Sequence, residues 1–252
     1  MDAPRIIEAL ALPADSRVDQ RVPKKLMLEQ GAPTTADNRL IQDGIEALHW
    51  IAALKPGNVA VPAFRDEVRE YAELAVLHAV LRPEAKTARL LELIHRAIPY
   101  PLALVVTGAD GVFFSLAHKR YSQGEAGKVV LDDDLVVERL DNGGGVEAAF
   151  LDALALSRQN AANLHALYQG WMERLTALTA ARLTGTYGVS VSEEEDQNRR
   201  EALREHAELT KKLVGLRTLA AKEMQLNRRV ALNVEIQGIQ KALDALIVRL
   251  KG

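Results

Sequence analysis

The sequence contains no cysteine and few aromatic residues. The absence of Cys among 252 residues excludes disulfides, thiolate metal sites and a cysteine nucleophile, and it suits a reducing compartment. Aromatic residues make up only 4% of the chain, so the core must consist mainly of Leu, Val, Ile and Ala. No apolar run approaches the roughly 18 residues that a membrane span needs. The N-terminal segment, with Asp2 and Glu8, is unlike a signal peptide. We therefore expect a cytoplasmic protein that does not contact a membrane.

Common catalytic signatures are also missing. The chain has no Walker loop and no GxGxxG, HExxH or GxSxG motif, so we expect neither a cofactor nor a metal centre. His49, His78 and His95 lie in apolar stretches, where a hydrogen-bonded structural histidine is expected rather than a metal ligand. The glycines at 143–145 favour a hinge over a phosphate-binding loop, because no Lys-Ser/Thr pair follows them.

Charge is divided unevenly along the chain. Residues 1–150 hold 17 Lys and Arg against 22 Asp and Glu, whereas residues 197–252 hold 12 against 6. The sequence thus predicts a basic C-terminal arm on an acidic body. Such an arm could meet phosphate or an acidic partner, although charge of this density also occurs on any solvated helix.

Residues 1–145 predict an α/β (α+β) domain, a mixed sheet with flanking helices. Residues 17–30 suit an extended edge segment, because Pro23 is unfavourable inside a helix. Apolar residues at three- and four-residue steps then predict a helix that begins near Thr34 and ends before Pro56. The remaining patterns predict strands at 58–64, 69–81, 102–108, 111–120 and 128–140, with a helix at 84–98 and an Asp110-Gly111 turn between two of the strands.

Residues 146–252 are expected to be helical, with a break at 184–192. Ser192 and Glu195 have the spacing of a capping box, so the acidic run at 193–196 is interpreted as the start of a helix rather than a metal site. Apolar residues beyond it step by fours and threes like a coiled-coil seam, first at Leu209, Leu213, Leu216 and Ala220, then at Leu232, Ile236, Ile239, Leu243, Leu246 and Leu250. The polar segment KEMQLNRR between the two runs indicates a stutter or a change of partner, and it leaves one long helix and a hairpin both open.

Two basic clusters are candidates for nucleic-acid contact. The first contains Arg21, Lys24 and Lys25. The second lies at a strand end beside Tyr121 and contains His118, Lys119 and Arg120, with Lys128 nearby. Cations beside an aromatic ring can hold phosphate while the ring stacks on a base, and the two clusters could converge on one edge of the sheet. The alternative is that these strand ends are charged because they reach solvent.

The order of elements in the first domain resembles the core of restriction-type nucleases. Such enzymes hold magnesium with an Asp near one strand and a Glu-x-Lys on the next. Carboxylates do occur near the corresponding strand, at Asp66, Glu67, Glu70 and Glu73, but no Lys follows two residues after any of them. We therefore expect an inactive core, and metal-dependent cleavage through Asp66 and Glu73 is the least favoured hypothesis.

Four segments resemble a bacterial family, the domain of unknown function DUF4391. They are RVPKKLMLEQGAPT, IHRAIPYPLALVV, FFSLAHKR and EMQLNRRVALNVEIQGIQKAL, and the resemblance extends over most of the chain. The IPYP turn and the Q-N-R-V-N pattern of the last helix are its most distinctive motifs. Members of that family are typically encoded beside DNA methyltransferases and SNF2-type or restriction-type helicases in phage-defence loci. The resemblance implies an accessory role in a DNA-targeting defence complex, and it supplies no catalytic residue.

Two hypotheses of different classes follow. In the favoured one, the protein is a non-catalytic adaptor of a restriction-modification-like complex. Its α/β domain then docks on a helicase or methyltransferase, and its C-terminal seam pairs with a partner helix or with a second copy. In the other, the basic clusters and the arm bind DNA directly.

Overall fold

The computed structural model describes residues 1–31, 33–125, 128–141 and 144–251, without the side chains of residues 31, 133 and 134. The chain forms two compact units, residues 1–175 and 176–252. The helices are α1 (Ala3–Ala9), α2 (Lys24–Gly31), α3 (Thr35–Gly44), α4 (Pro56–Val59), α5 (Thr87–Ala97), α6 (Gly145–Ala153), α7 (Leu164–Thr184), α8 (Glu193–Lys222) and α9 (Leu226–Leu250). None of these helices is both long enough and apolar enough to cross a membrane.

The first unit is built on a six-stranded mixed sheet. The strands of the chain are β1 (Arg17–Arg21), β2 (Ile45–Leu54), β3 (Phe64–Arg65), β4 (Glu70–Tyr71), β5 (Leu74–Leu81), β6 (Leu102–Gly108), β7 (Gly111–Tyr121) and β8 (Val129–Leu140). The main sheet has the spatial order β1-β2-β5-β6-β7-β8, and β3 pairs with β4 in a separate small sheet. Among the strands of the described residues, β5 and β6 are the one parallel pair of neighbours. This mixed sheet with its helices confirms the predicted α/β class.

Helices cover the central strands on both faces. On one face α2, α3 and α5 bury a core of aliphatic side chains that includes Leu77, Leu90 and Ile94. On the other face Phe150 of α6 packs on Phe114, with 6.3 Å between the ring centroids. Helices α6 and the first part of α7 therefore belong to the sheet unit, and the boundary at 175 lies beyond the predicted one at 145.

Strand β2 contradicts the predicted helix that extended from Thr34 to Pro56. Only residues 35–44 are helical, and the chain is extended from Ile45 onward. The pairing of β2 with β5 shifts register twice, between Ile45 and Ala47 and again between Trp50 and Ala52. Each bulge adds a residue to one strand, so same-face residues lie three apart instead of two. That spacing imitates a helical period and explains the error.

Other predicted elements have mixed outcomes. The edge segment 17–30 is extended only in β1 and is helical in α2, while the strand predicted at 58–64 is largely replaced by α4 and a loop. The strand at 69–81 is interrupted between β4 and β5. The helix near 84–98, the hairpin around Gly111 and the strand at 128–140 are confirmed as α5, β6–β7 and β8, and Gly111 has a φ of 120°. The predicted glycine hinge lies partly outside the described residues.

The second unit contains a helical hairpin, which resolves the alternative left open by the sequence. A three-residue connection joins α8 to α9. Lys212 of α8 pairs with Glu235 of α9 at 2.7 Å, while the earlier residue Glu201 of α8 lies 3.9 Å from the later residue Arg249 of α9. Residue numbers therefore increase along α8 in the direction in which they decrease along α9. The helices are therefore antiparallel. The predicted cap is confirmed, since Ser192 Oγ accepts the backbone N–H of residue 195 at 3.2 Å.

Candidate functional site

The two predicted basic clusters lie toward opposite edges of the main sheet. Arg21 ends the edge strand β1, and Lys24 and Lys25 begin α2 just after it. Lys119 and Arg120 lie on β7, beside the other edge strand. Four strand spacings of about 4.8 Å separate β1 from β7, or roughly 19 Å. The prediction that the clusters converge on one edge is therefore wrong.

The first cluster is basic but already has partners. Lys24 Nζ donates a hydrogen bond to a backbone carbonyl of α3 at 3.0 Å, and Lys25 lies 3.7 Å from Glu29. Partial burial lowers the pKa of Lys24, and the positive charges of Arg82 and Arg21 lower it further. Lys24, Arg21 and Arg82 therefore form a concentration of positive charge near the end of β1, which Asp43 and Glu46 partly offset.

The charges of the second cluster are buried or already have partners. Lys119 is only 3% exposed and donates its hydrogen bonds to backbone carbonyls at the end of α5. Arg120 Nε lies 3.4 Å from Asp132, and Lys128 forms an ion pair with Glu125 at 2.9 Å. Lys119 points toward the end of α5, which covers this face of the sheet, so its charged end lies in the interior. The predicted phosphate contact through Lys119 is not supported by this placement.

His118 belongs to a group of rings that the sequence did not reveal. We call this group the histidine cluster, and it consists of Phe64, Tyr71, His118, His165 and Tyr168. His165 of α7 stacks on Phe64 at 4.9 Å and meets the edge of Tyr71 at 4.8 Å. Tyr168 is fully buried and bonds to backbone groups of β6 and β7. The cluster therefore joins the β3–β4 hairpin to the main sheet and to α7.

A row of hydrogen bonds fixes the tautomer of His118. Tyr71 Oη lies 2.5 Å from His118 Nδ1, His118 Nε2 lies 2.8 Å from Gln169 Oε1, and Gln169 Nε2 donates to Glu173 Oε1 at 3.2 Å. Because the amide nitrogen of Gln169 faces a carboxylate, its oxygen faces His118 and accepts from Nε2–H, and the Tyr71 hydroxyl donates to Nδ1. Burial lowers the pKa of His118 to about 4. His118 is thus neutral at pH 7 and is held as one tautomer.

The carboxylates considered for metal binding are dispersed. Asp66 accepts two backbone N–H groups of its own turn, which lower its pKa, and Glu73 forms a 3.0 Å ion pair with Lys55. Glu70 accepts the hydroxyl of Tyr121 at 3.0 Å. Within residues 1–31, 33–125, 128–141 and 144–251, no three His, Asp or Glu side chains are grouped to hold a metal ion. Asp66 and Glu73 are each engaged by other groups, Asp66 by its own turn and Glu73 by Lys55.

The predicted seam of the last helix is covered by the chain itself. Ile239 packs with Leu213 and Leu216 of α8, and Leu246 and Leu250 pack in a second cluster around Ala202. The remaining seam residues, Leu232, Ile236 and Leu243, are partly buried against the first of these clusters. These side chains are therefore occupied within the hairpin, and a partner helix must use a different face.

A different apolar face does exist, near the tip of the hairpin. We call it the outer stripe, and it consists of Leu226, Val230 and Val234. These residues follow each other at four-residue steps and are 62%, 53% and 65% exposed. Val230 precedes the buried Ile239 by nine residues, which at about 100° per residue places it on the opposite side of α9. Further exposed apolar residues lie close in sequence, at Val214, Leu219 and Met224.

The outer stripe lies in the basic part of the hairpin. We call residues 209–235 the distal hairpin. It contains six Lys and Arg against two Asp and Glu, whereas residues 193–208 and 236–251 contain six against eight. The positive charge predicted for the arm is therefore concentrated around the tip, where apolar side chains are also uncovered.

A family model matches residues 10–243, which is nearly the whole chain. The description of that family is domain of unknown function (DUF4391). The chain belongs to the DUF4391 family. Its membership confirms the resemblance seen in the sequence. No curated protein and no solved structure matches the chain.

In this DUF4391 chain, sequence reasoning missed the outer stripe and the histidine cluster for different reasons. Leu226, Val230 and Val234 are visible in the sequence, but the segment KEMQLNRR, which contains Leu226, is interpreted there as a polar interruption of the seam. From the sequence, KEMQLNRR indicates either a stutter or a change of partner. The exposed apolar residues that follow it lie on another face of α9, which agrees with a change of partner. The histidine cluster has no sequence signal, because its five rings are spread over about 100 positions, from Phe64 to Tyr168.

Proposed function

We propose that this DUF4391 protein is a non-catalytic accessory subunit of a DNA-targeting complex, and that its distal hairpin binds another protein subunit. The observation that carries the proposal is the outer stripe, an uncovered apolar face surrounded by positive charge. Three aliphatic residues at one-turn spacing on a helix are a usual docking site for an amphipathic partner helix. The seam on the other side of α9 is filled, so the stripe is free for such a partner.

Charge narrows the chemistry of that partner. Two copies of the distal hairpin would bring like charges together, which opposes self-association through the stripe. A partner helix with an apolar face flanked by Asp and Glu would instead complement the six basic residues of the distal hairpin. We therefore infer an acidic amphipathic helix of a different protein. The helicase or DNA methyltransferase class of that protein comes from the family resemblance and the genes that accompany the family.

The test is co-purification of the full-length chain with the helicase and the methyltransferase encoded in its own locus. The triple variant Leu226→Ser, Val230→Ser, Val234→Ser should lose the partner, because a polar stripe no longer gains from burial. Val248→Ser is the matched control, since Val248 is 70% exposed on the same helix outside the distal hairpin. It should retain the partner.

Two outcomes would contradict this proposal. One is a triple variant that keeps its helical circular dichroism and still retains the partner at the wild-type level. The other is a wild-type chain that forms a dimer by light scattering and a triple variant that is monomeric, which would show that the stripe binds a second copy.

Direct DNA binding is the second candidate, and the concentration of Lys and Arg in the distal hairpin favours it. If this candidate is correct, changing Arg217, Arg228 and Arg229 to Gln should abolish a gel shift on duplex DNA, and the wild-type affinity should fall steeply with salt. The triple Ser variant should then bind DNA normally. A wild-type chain without any shift at low salt would eliminate this candidate.

A further inference from the structure

A small cavity in the sheet unit contains a buried lysine. It has a volume of about 170 Å³ and lies where β4, β7 and the turn after α5 meet. It has room for several water molecules, or for a small organic ligand. Its lining residues are Glu70, Ala72, Pro99, Tyr100, Pro101, Lys119, Arg120, Tyr121 and Val129.

The lysine in this cavity is Lys119, which is 3% exposed. Its ammonium group donates one hydrogen bond to the backbone carbonyl of His95 at 2.6 Å and another to that of Ile98. A lysine has three N–H donors, so one donor is left for a ligand. No carboxylate of the described residues pairs with this ammonium, and burial alone lowers the pKa of Lys119 to about 7. A buried cation without a carboxylate partner would be stabilised by an anion.

The other charges at the cavity are already engaged. Glu70 accepts the hydroxyl of Tyr121 and lies 3.8 Å from Arg65, and Arg120 is directed to Asp132. These contacts leave Lys119 as the charged group that a ligand in the cavity can meet. The remaining walls are largely apolar surfaces.

Those walls determine the shape of the ligand. Two prolines flank Tyr100, and Tyr121 and Val129 contribute further apolar surface. Tyr100 is held by an edge contact with Trp50, with ring centroids 6.1 Å apart. A flat apolar body therefore fits beside the rings, while its charged end faces the lysine.

We propose that this cavity is a binding site for a small carboxylate with a flat, apolar body, whose carboxylate oxygen accepts a hydrogen bond from Lys119 Nζ. The ligand would complete the three hydrogen bonds of the ammonium group and neutralise its charge. This site contains no residue of the distal hairpin. Its test is therefore independent of the test of the proposed subunit contact.

Calorimetric titration of the full-length chain tests the site with four probes, namely benzoate, the neutral analogue benzamide, acetate and inorganic phosphate. Benzoate should bind with a Kd on the order of 1 mM, as expected for a ligand of this size. Acetate should bind at least tenfold more weakly, because it lacks the flat body, and benzamide should not bind. Saturable phosphate binding without benzoate binding would overturn the carboxylate assignment, as would the absence of saturable benzoate binding up to about 50 mM.

Variants locate the binding. Lys119→Met keeps the length of the side chain and removes the charge, and it should abolish benzoate binding. Lys128→Met is the matched control, because Lys128 is a surface residue paired with Glu125, and it should bind like the wild type. Equal benzoate binding by Lys119→Met would overturn the proposal.

Lys119 also holds the end of α5, so Lys119→Met could fail to fold. In that case Tyr100→Ala decides, because it retains the ammonium group and removes one wall. Its benzoate affinity should fall about tenfold while its acetate affinity does not change, and an unchanged benzoate affinity would contradict the proposal. Reductive ¹³C-methylation of the wild type gives a separate readout by NMR. The pKa of the Lys119 resonance should rise above about 7 when benzoate is added, and no rise would count against the site.

Discussion

The sheet unit and the helical hairpin bury their apolar residues to different extents. Trp171, Tyr71 and Phe114 of the sheet unit are completely buried, whereas Leu213, Leu216 and other large residues of the hairpin seam stay 6–9% exposed. The sheet unit has helices on both faces, while the hairpin has one internal seam and uncovered apolar residues on its outside. We infer that the sheet unit is stabilised chiefly by its own core, whereas the hairpin leaves apolar surface uncovered.

Of the changes that test this comparison, Trp171→Ala is expected to lower the free energy of unfolding most. Trp171 is fully buried in α7 and donates its indole N–H to the carbonyl of Leu154 at 3.0 Å. Removing a buried Trp costs about 3–5 kcal/mol, because a cavity remains and a carbonyl loses its donor. Urea unfolding followed by circular dichroism measures this loss. Leu216→Ala in the seam is the counterpart, and it should cost about 2 kcal/mol or less because the site lies at the margin of solvent. Equal losses would contradict the difference between the two units.

Acid should weaken the sheet unit through His118. Burial holds the pKa of this folded-state imidazole at about 4, against an ordinary value of 6.5 in the unfolded chain. A histidine with a lowered folded pKa stabilises the fold above pH 6.5, and this contribution is lost as pH falls from 6.5 to 4. The loss amounts to roughly 3 kcal/mol, at about 1.4 kcal/mol for each pKa unit.

Comparison with a variant isolates the contribution of His118. The unfolding free energy of His118→Gln should fall less steeply than that of the wild type between pH 6.5 and 4, because glutamine does not titrate. His206 of α8 supplies the control. His206→Gln should retain the wild-type slope, since His206 lies on α8 and is not part of the histidine cluster. Parallel slopes for His118→Gln and the wild type would show that His118 is not kept neutral by burial.

The order of most elements could be predicted from the sequence, but their spatial arrangement could not. Helix α5 is predicted correctly because its apolar residues keep a helical spacing, and strands β6, β7 and β8 because turn residues mark their ends, although the β7–β8 pairing shifts register between Leu116 and His118. Strand β2 was mistaken for a helix because its bulges at 45–47 and 50–52 change the spacing of buried residues. The prediction that the two basic clusters converge on one edge of the sheet is wrong because the sequence does not reveal that β1 and β8 form opposite edges.

Burial of single polar residues was the other source of error. Lys119 and His118 end an apolar strand, and a charged strand end usually reaches solvent. Lys119 is buried and His118 is largely covered because α5 and α7 contact this part of β7, and those contacts come from distant parts of the chain. The outer stripe, in contrast, is a local pattern of α9. Its four-residue spacing can therefore be seen in the sequence, whereas its exposure to solvent is known only from the structure.

The smallest effect is expected at the surface of the hairpin. Lys212 and Glu235 are joined at 2.7 Å across α8 and α9, but their side chains are 56% and 45% exposed. An exposed ion pair contributes about 0.2–1 kcal/mol, because water and salt screen it and ordering two long side chains costs entropy. Glu235→Gln should therefore lower the unfolding free energy by no more than about 0.5 kcal/mol in urea, and 0.5 M salt should remove the difference. A larger loss that persists in salt would show that specific charges, rather than the apolar seam, hold the two helices together. In that case charge, rather than the apolar outer stripe, would be the better basis for predicting how the hairpin binds another helix.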